Sequence, residues 1–350
     1  MADTAERRAR LERLLEAARE LANPEKSPGQ ALRARLLETT GLSGPGIERG
    51  ITHSLEAAPS EAELQALLAS TPHAPRAHVL LSSNVFVGAL RAIAIGVASS
   101  AQVCVRASRR DPALAEALHA LVPELFQLVS ALTPGAGEHL WSYGSDTTLA
   151  DLRASLPPGV WFHPHGSGFG AVIVDAASWT PEGARPIALD TALFDQQGCL
   201  SPRVVVLVGS AEQARIVAQA LATALQELEI ELPPGTKSQA ELAEARRDRD
   251  TAAYAFELFE AGSGWVSCAS ELVVPPSFRS LHVVDARDAV ATLRPFQAHL
   301  TCVSANTQAL RDQLQQAFSG SRVMALGEMQ RPPLDGPVDR RHGTQGELVG

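Results

Sequence analysis

The chain has 350 residues, of which 45% are apolar and 20% charged, a composition typical of a globular protein with a large core. This length suggests two or three domains. The net charge of −9 disfavours nucleic acid or an anionic membrane as a default partner. The longest apolar stretch, 85–105, includes Arg91 and Gln102 and predicts a helix followed by a strand, not a membrane span.

Four widely spaced cysteines, without a C-x-x-C pair or a zinc-like spacing, indicate a protein that needs no disulfides. The N-terminus has charge but no apolar segment of the kind found in signal peptides. Both observations predict a cytoplasmic protein.

Helical periodicity predicts amphipathic helices over 4–22, 29–39 and 60–69. From His78 onward, short apolar runs alternate with helical segments, which is the pattern of a parallel α/β sheet. The predicted strands are 79–81, 102–105, 140–143, 160–163, 171–174, 204–208, 265–268, 281–284 and 299–303. The predicted later helices are 85–97, 111–130, 146–156, 187–197, 211–228, 237–260 and 307–318. The tail after Gln330, rich in Pro, Gly and Arg, is expected to lie along the surface.

The segment from Asp195 to Arg203 places Cys199 between a helix-like stretch and an apolar strand. Gly198 removes a side chain beside the sulfur, and Pro202 prevents a helix from continuing past it. A thiol at such a junction is accessible and fixed in direction, which suits a nucleophile. The alternative is a small, buried and unreactive cysteine.

Asn84 follows one predicted strand, and Arg106 and Ser108 follow the next. Ligands of open α/β sheets bind at the carboxyl ends of the strands. The amide of Asn84 could donate a hydrogen bond to a developing oxyanion, or it could cap the next helix.

Gly144 and Ser145 lie at a strand-to-helix junction, where backbone N–H groups can bind an anion, although Ser is also a common helix cap. Further along, His163 and His165 precede three glycines in five positions, which indicates a close backbone approach. No third ligand is near enough in sequence to predict a metal site at these histidines.

The cysteine segment resembles the cysteine loop of the aldehyde dehydrogenase superfamily, in the form found in long-chain acyl-CoA reductases such as the reductase subunit of the bacterial luminescence system. The segment Ala325–Arg340 resembles the C-terminal signature of that family, in which Leu-Gly-x-Met-Gln leads to a Pro-rich, Asp-containing tail. The resemblance covers His78 to Arg340. The superfamily's Glu-x-Phe-Gly-Pro segment is not recognisable in this chain.

The resemblance implies an aldehyde dehydrogenase-like α/β fold, with two Rossmann-like parallel-sheet domains and an N-terminal helical segment. The expected divisions are an N-terminal helical segment at 1–75, a nucleotide-binding domain at 76–186 and a catalytic cysteine domain at 187–322. The tail, 323–350, is expected to return to the nucleotide-binding domain.

The resemblance also implies roles for the site residues. Cys199 would be the nucleophile and Asn84 the oxyanion donor. Arg106 and Ser108 would face the adenosine ribose, and Gly144 and Ser145 would receive the cofactor pyrophosphate. The family usually has Lys where this chain has Arg106; Arg109 and Arg110 are close by, and guanidinium groups pair well with the 2′-phosphate of NADPH.

Aldehyde dehydrogenases carry a Glu, which activates the hydrolytic water, at the place that falls on His165 or a neighbour in this chain. Without that carboxylate the chain is poorly equipped to release a free acid. His165 could instead donate a proton or partner the thiolate.

These features predict NADPH-dependent reduction of a fatty acyl thioester to an aldehyde through an acyl-Cys199 intermediate. The acyl donor would be acyl-CoA or an acyl carrier, and an acyl-protein synthetase partner and a homo-oligomer stay open. One alternative is a non-catalytic homologue that binds nucleotide or a partner protein. The other is a thiol acyltransferase or hydrolase without hydride transfer.

Overall fold

The computed structural model describes residues 2–276 and 278–350, which divide into two compact units. Unit 1 comprises the chain up to Thr40, Gly50–Ser167 and Pro333–Gly350; unit 2 comprises Gly41–Arg49 and Gly168–Pro332. Each unit contains one mainly parallel sheet together with helices, so the predicted α/β class is confirmed. Among the described residues, no helix is both long enough and apolar enough to span a membrane.

Twelve α-helices are present in the described residues, and short 3-10 or π-helical turns supplement them. The helices are α1 (Ala2–Ala22), α2 (Ser27–Thr39), α3 (Gly44–Arg49), α4 (Glu61–Ser70), α5 (Gly88–Ser99), α6 (Ala113–Leu121), α7 (Asp146–Ser155), α8 (Ala184–Ala192), α9 (Ala211–Glu231), α10 (Gln239–Ala255), α11 (Ala289–Leu293) and α12 (Gln308–Ala317). The strands are β1 (Ala77–Leu80), β2 (Val103–Arg106), β3 (Gln127–Leu128), β4 (His139–Tyr143), β5 (Trp161–His165), β6 (Phe169–Asp175), β7 (Pro202–Val208), β8 (Glu257–Ala261), β9 (Gly264–Ala269), β10 (Leu281–Ala286), β11 (Leu300–Ala305), β12 (Arg322–Ala325) and β13 (Glu347–Leu348).

The sheet of unit 1 has the order β13-β5-β4-β1-β2-β3, and all of its pairs are parallel except β13 with β5. The chain first builds outward from β1 to β2 and β3, and then places β4 and β5 on the other side of β1. The direction of building therefore reverses between β1 and β4. In open α/β sheets such a reversal leaves a crevice at the carboxyl ends of the two strands.

The sheet of unit 2 has the order β12-β11-β6-β7-β10-β9-β8, with only β8 antiparallel to its neighbour. Its central strands are mostly buried and contain long apolar runs, as expected for parallel strands covered on both faces. One face packs Val204, Val206 and Ile173 against Leu314 and Phe318.

Two predicted helices are shorter in the structure. The helix predicted over 111–130 ends at Leu121, because Pro123 cannot donate the next backbone hydrogen bond, and 127–128 forms a strand. The helix predicted over 237–260 ends at Ala255, and 257–261 pairs with β9 through a turn at Gly262, whose φ is +68°. Pairing with a neighbouring strand outweighs local helix propensity there.

The expectation that the tail lies along the surface is wrong, because its first part is buried in unit 1. Leu334 and Asp339 are 1% and 4% exposed. The buried guanidinium of Arg91 donates to the carbonyl oxygens of Pro333 and Gly336 at 2.8 and 2.5 Å. These polar contacts hold the segment in place. Because the segment has no apolar periodicity, its burial could not be predicted from the sequence pattern.

Rings stack on one face of the adjacent strands β4 and β5. Trp141 and His163 have centroids 4.4 Å apart, and His139 Nδ1 lies 2.9 Å from His163 Nε2. At the end of the two strands, Tyr143 stacks on His165 at 4.6 Å. The tail covers His163: a Cβ at Gly346 would lie 2.7 Å from its ring. Burial lowers the pKa of His139 to about 4, of His163 to about 3 and of His165 to about 4.

The lowered pKa values of these three histidines predict that the free energy of unfolding falls in acid. Because their folded-state pKa values lie below the ordinary value of 6.5, their stabilisation is complete above that pH and is lost as the pH falls towards 4. Each histidine contributes a slope of about 1.4 kcal/mol per pH unit in that range. Urea unfolding between pH 7.5 and 5 measures this dependence. His163→Gln introduces a side chain that does not titrate, and it is expected to remove one histidine's contribution to the pH dependence of the free energy of unfolding. An unchanged pH dependence would contradict the role of His163.

Candidate active site

Most of the predicted site residues in unit 1 follow the carboxyl ends of four neighbouring parallel strands. Leu80 of β1 is in register with Arg106 of β2 and with Ser142 of β4, and Tyr143 of β4 is in register with His165 of β5. One edge of the sheet therefore carries, in spatial order, His165, the Gly144–Ser145 turn, the Asn84 loop, and Arg106 with Ser108. The strand reversal between β1 and β4 lies in the middle of this edge.

Asn84 is exposed and does not cap α5, whose N-cap residue is Val87. The capping interpretation of Asn84 therefore does not apply. Ser145, by contrast, is the N-cap of α7, and its hydroxyl accepts the backbone N–H of Thr148 at 3.2 Å. Its side chain thus serves the helix, and the anion-binding capacity of this turn lies in backbone N–H groups at the start of α7.

The glycine-rich loop after His165 is tied to the same helix start. The backbone N–H of Ser167 donates to Asp146 Oδ1 at 2.8 Å, and that of Gly144 donates to the carbonyl oxygen of His165 at 3.2 Å. A Cβ at Gly166 would lie 2.3 Å from Asp146 Oδ1, so only glycine permits this close approach.

His165 is 8% exposed, and burial is the main cause that lowers the pKa of its imidazole to about 4. The charge and backbone of Asp339 act in the opposite direction, while Arg341 and His342 add to the lowering. Arg341 pairs with Asp339 at 2.7 Å and donates to the carbonyl oxygen of Ser167 at 3.0 Å. The sequence did not predict that Asp339 lies near His165; the place of Asp339 in the Asp-containing tail was the available signal.

The two histidines of the glycine-rich segment do not form a metal centre. His163 Nε2 is engaged with His139. In the part of the chain that the structure describes, no three His, Cys, Asp or Glu side chains are arranged to hold a metal ion.

Cys199 belongs to unit 2 and is half-buried in a tight turn, in which the N–H of Ser201 donates to the carbonyl oxygen of Gly198 at 3.1 Å. The turn leads into β7, so the cysteine lies at the amino ends of β6 and β7. The N–H of Gly170, at the start of β6, donates to the carbonyl oxygen of Ser201 at 2.8 Å. Two other cysteines differ: burial raises the pKa of Cys268, which is half-buried like Cys199, to about 11, and it also raises the pKa of the buried Cys302.

The helix-like stretch predicted before Cys199 is not one helix. α8 ends at Ala192, and Phe194, Asp195 and Gln196 then adopt left-handed backbone conformations with φ of 54°, 50° and 62°. Such conformations are strained for residues with a Cβ and need compensating contacts. Asp195 supplies one, because its carboxylate forms a buried 2.7 Å ion pair with Arg279 and accepts the N–H of Gly235 at 2.9 Å.

Gln196 supplies the other compensating contacts. Its side-chain amide is fully buried and donates to the carbonyl oxygens of Pro202 and Ser280, both at 2.7 Å. Its oxygen accepts the N–H groups of Phe278 and Ser280 at 3.1 and 2.8 Å. All four hydrogen-bonding positions of the amide are therefore satisfied, and the contact with Pro202 closes the backbone around Cys199.

The family model of acyl-CoA reductase (LuxC) matches residues 136–339, which include the cysteine turn and the glycine-rich segment. The chain belongs to the acyl-CoA reductase (LuxC) family. Its members are oxidoreductases, and this chain is therefore an oxidoreductase that acts on aldehyde or acyl substrates. No curated protein sequence matches the chain.

The fold of this acyl-CoA reductase family member is that of aldehyde dehydrogenases, as predicted. It is similar to the NAD-dependent benzaldehyde dehydrogenase from Corynebacterium glutamicum, with a TM-score of 0.69 and 12% identity over 92% of this chain and 80% of that one. It is also similar to a salicylaldehyde dehydrogenase from Pseudomonas putida G7, with a TM-score of 0.69 and 12% identity over 93% of this chain and 78% of that one. Lactaldehyde dehydrogenase from Escherichia coli is a third similar structure, with a TM-score of 0.64 and 13% identity over 93% of this chain and 78% of that one.

Gly170 should be intolerant of a side chain, because a Cβ there would lie 2.4 Å from the carbonyl oxygen of Leu200 and 2.5 Å from Met329 Cε. We expect Gly170→Ala to lower the free energy of unfolding by about 1–3 kcal/mol, the usual effect of overpacking. Chemical denaturation measures it. Gly44→Ala is the matched control in unit 2, because a Cβ at Gly44 meets nothing within 4 Å. Equal effects of the two substitutions would contradict the packing argument.

Proposed function

We propose that the protein reduces a fatty acyl thioester to an aldehyde with NADPH, through a covalent acyl-Cys199 intermediate. The observation that carries the proposal is a half-buried cysteine, held in a rigid turn, in a chain of the acyl-CoA reductase family. The proposal assigns nucleotide binding to the domain predicted at 76–186, and covalent chemistry to the domain predicted at 187–322.

The carboxyl edge of the unit 1 sheet fits a dinucleotide by the chemistry of its donors. Backbone N–H groups at the start of α7, beside Gly144 and Ser145, suit a pyrophosphate. Arg106 is the last residue of β2, Ser108 follows it at the same edge, and both would hold the adenosine ribose. The guanidinium of Arg106 favours a 2′-phosphate, because it can pair with a phosphate through two hydrogen bonds. When bound, NADPH supplies the hydride that the reduction requires.

The covalent chemistry belongs to Cys199. Its thiolate attacks the thioester carbonyl, a bond forms between Cys199 Sγ and the acyl carbon, and the thiolate of the acyl donor leaves. We assign Asn84 to stabilise the developing oxyanion. After reduction, collapse of the thiohemiacetal breaks the bond between sulfur and carbon, so that the aldehyde and a free Cys199 thiolate are released.

The residue at the place of the superfamily's Glu supports reduction rather than acid production. His165 is buried, and its lowered pKa leaves it neutral at pH 7. A neutral imidazole can accept a proton and, once protonated, return it, and we assign it this role in the thiol and oxyanion steps. It provides no carboxylate to activate water, and the acyl-enzyme therefore persists until it is reduced.

The decisive experiment follows NADPH oxidation by absorbance with a panel of acyl-CoA chain lengths. Wild type is expected to oxidise NADPH and to produce aldehyde. Cys199→Ala should lose the activity by a factor of about 10³ or more, because the nucleophile is absent. Cys268→Ala is the matched control and should keep it, because burial raises the pKa of that thiol to about 11.

The other outcomes separate the alternatives. Acyl transfer to Cys199 without NADPH oxidation would indicate a thiol acyltransferase. If folded wild type neither oxidises NADPH nor becomes acylated with any chain length, the proposal is wrong, and a partner-fed or non-catalytic homologue takes its place.

Cofactor choice gives a second test. Arg106→Gln is expected to weaken NADPH binding about tenfold, the cost of one lost charge-assisted contact, while leaving NADH binding nearly unchanged. Isothermal titration calorimetry with both nucleotides measures this. Arg76→Gln, which removes a cation just before β1 at the opposite edge of the same sheet, is the control and should change neither. Equal weakening of NADPH and NADH by Arg106→Gln would count against a contact with the 2′-phosphate.

A further inference from the structure

The C-terminal signature Leu326–Gln330 has no part in the chemistry described so far. It follows β12 and packs against α8, the helix that leads to the cysteine turn. Gly327 has a φ of +82°, and a Cβ there would lie 3.0 Å from Pro186 of α8. The signature is therefore built to approach α8 closely.

Asp190, in the last turns of α8, receives the backbone of the signature. Its carboxylate is fully buried and accepts the N–H groups of Gly327, Met329 and Gln330 at 2.9, 3.1 and 3.4 Å. Burial raises the pKa of Asp190, and the three N–H donors, which favour the ionised form, act against this rise. A carboxylate with three backbone partners fixes the signature relative to α8.

The side chain of Gln330 then joins the two flanks of the cysteine turn. Its Nε2 donates to the carbonyl oxygen of Asp190 and to Ser201 Oγ, both at 3.1 Å. The carbonyl oxygen of Asp190 is one of the last four of α8, where backbone carbonyls commonly need a partner from outside the helix. Ser201 is two residues beyond Cys199. Gln330 is 4% exposed, so these bonds are shielded from water.

Met329 completes the support from the same side. It is fully buried, and a Cβ at Gly170 would lie 2.5 Å from its terminal methyl group. Gly170 in turn donates its N–H to the carbonyl oxygen of Ser201. Gln196, through its bond to Pro202, closes the turn independently. The buried side-chain amides of Gln196 and Gln330 therefore both hydrogen-bond to the backbone or side chains that flank Cys199.

We propose that Gln330 is a positioning residue for Cys199: by bridging Asp190 and Ser201, it fixes the direction and exposure of the thiol for acyl transfer. The inference rests on the proposed role of Cys199 as nucleophile. It also explains why a signature so far along the chain accompanies the cysteine segment.

The test compares wild type with Gln330→Met, which keeps the side chain's length but removes both donors. Iodoacetamide alkylation of each cysteine is followed by peptide mass spectrometry, without substrate. Release of the turn should expose the half-buried sulfur and raise the Cys199 alkylation rate about fivefold, with Cys104 and Cys268 unchanged. Acylation of Cys199 by an acyl-CoA in a single turnover should fall about tenfold, because the thiol loses its orientation.

Ser201→Ala is the milder variant; it removes one acceptor and should shift both rates in the same directions by smaller factors. Asn306→Leu is the matched control, because Asn306 bridges the N–H and carbonyl of Asp175 at the far end of β6. Asn306→Leu should lower the free energy of unfolding without changing the alkylation or acylation rate of Cys199.

An unchanged Cys199 alkylation rate in folded Gln330→Met would overturn the inference, and so would an equal rise in the rates of Cys104 and Cys268. Failure of the proposed function is distinct, because wild type would then not be acylated, while the alkylation comparison would still report on the turn.

Discussion

The conformation of the cysteine turn in unit 2 depends on a short left-handed stretch of backbone at Phe194–Gln196. Three successive residues with a Cβ in this conformation are costly, on the order of 1–3 kcal/mol each. The buried Asp195–Arg279 ion pair and the saturated Gln196 amide hold the stretch in place. Without it, α8 could continue past Ala192 as the helix predicted over 187–197, and the residues before Cys199 would be helical.

A buried ion pair is weak evidence for stability, because the desolvation of two charges offsets most of their attraction. Here it has a local use. Arg279 also donates to the carbonyl oxygen of Leu232 at 2.7 Å, and Asp195 accepts from Gly235, so the pair ties the 232–235 loop to the cysteine segment. The pair thus specifies one conformation of a segment that local propensity alone would leave as helix.

The two units place their functional groups at different ends of their strands. In unit 1 the predicted cofactor residues follow the carboxyl ends of β1, β2 and β4, as expected where an open α/β sheet binds a ligand. In unit 2 Cys199 precedes β7, at the amino end of that strand. The cysteine therefore cannot rely on the crevice of a strand reversal, and it depends on side-chain contacts such as those of Gln196 and Gln330.

The sequence could predict what periodicity and turn chemistry encode. The central strands of both sheets and the turn at Cys199 follow from local signals. The strand 257–261 could not be predicted, because its pairing with β9 decides against a helical pattern. The contacts of Gln196 and Gln330 could not be predicted either, because the partners of a buried amide come from distant parts of the chain and leave no pattern in the local sequence.

In the proposed assignment, His165 or a neighbour stands at the place of the superfamily's carboxylate, and this changes which proton transfers unit 1 can offer. A buried Glu that is ionised would carry a charge and activate water. His165 is neutral at pH 7, because burial lowers its pKa, and the nearby charge of Asp339 only partly opposes the effect. An anionic ligand at the same edge would favour the protonated ring, since an added negative charge raises the pKa of a histidine. Because the pKa of His165 is about 4 without such a ligand, a bound phosphate would have to raise it by several units before the ring carried a charge at pH 7.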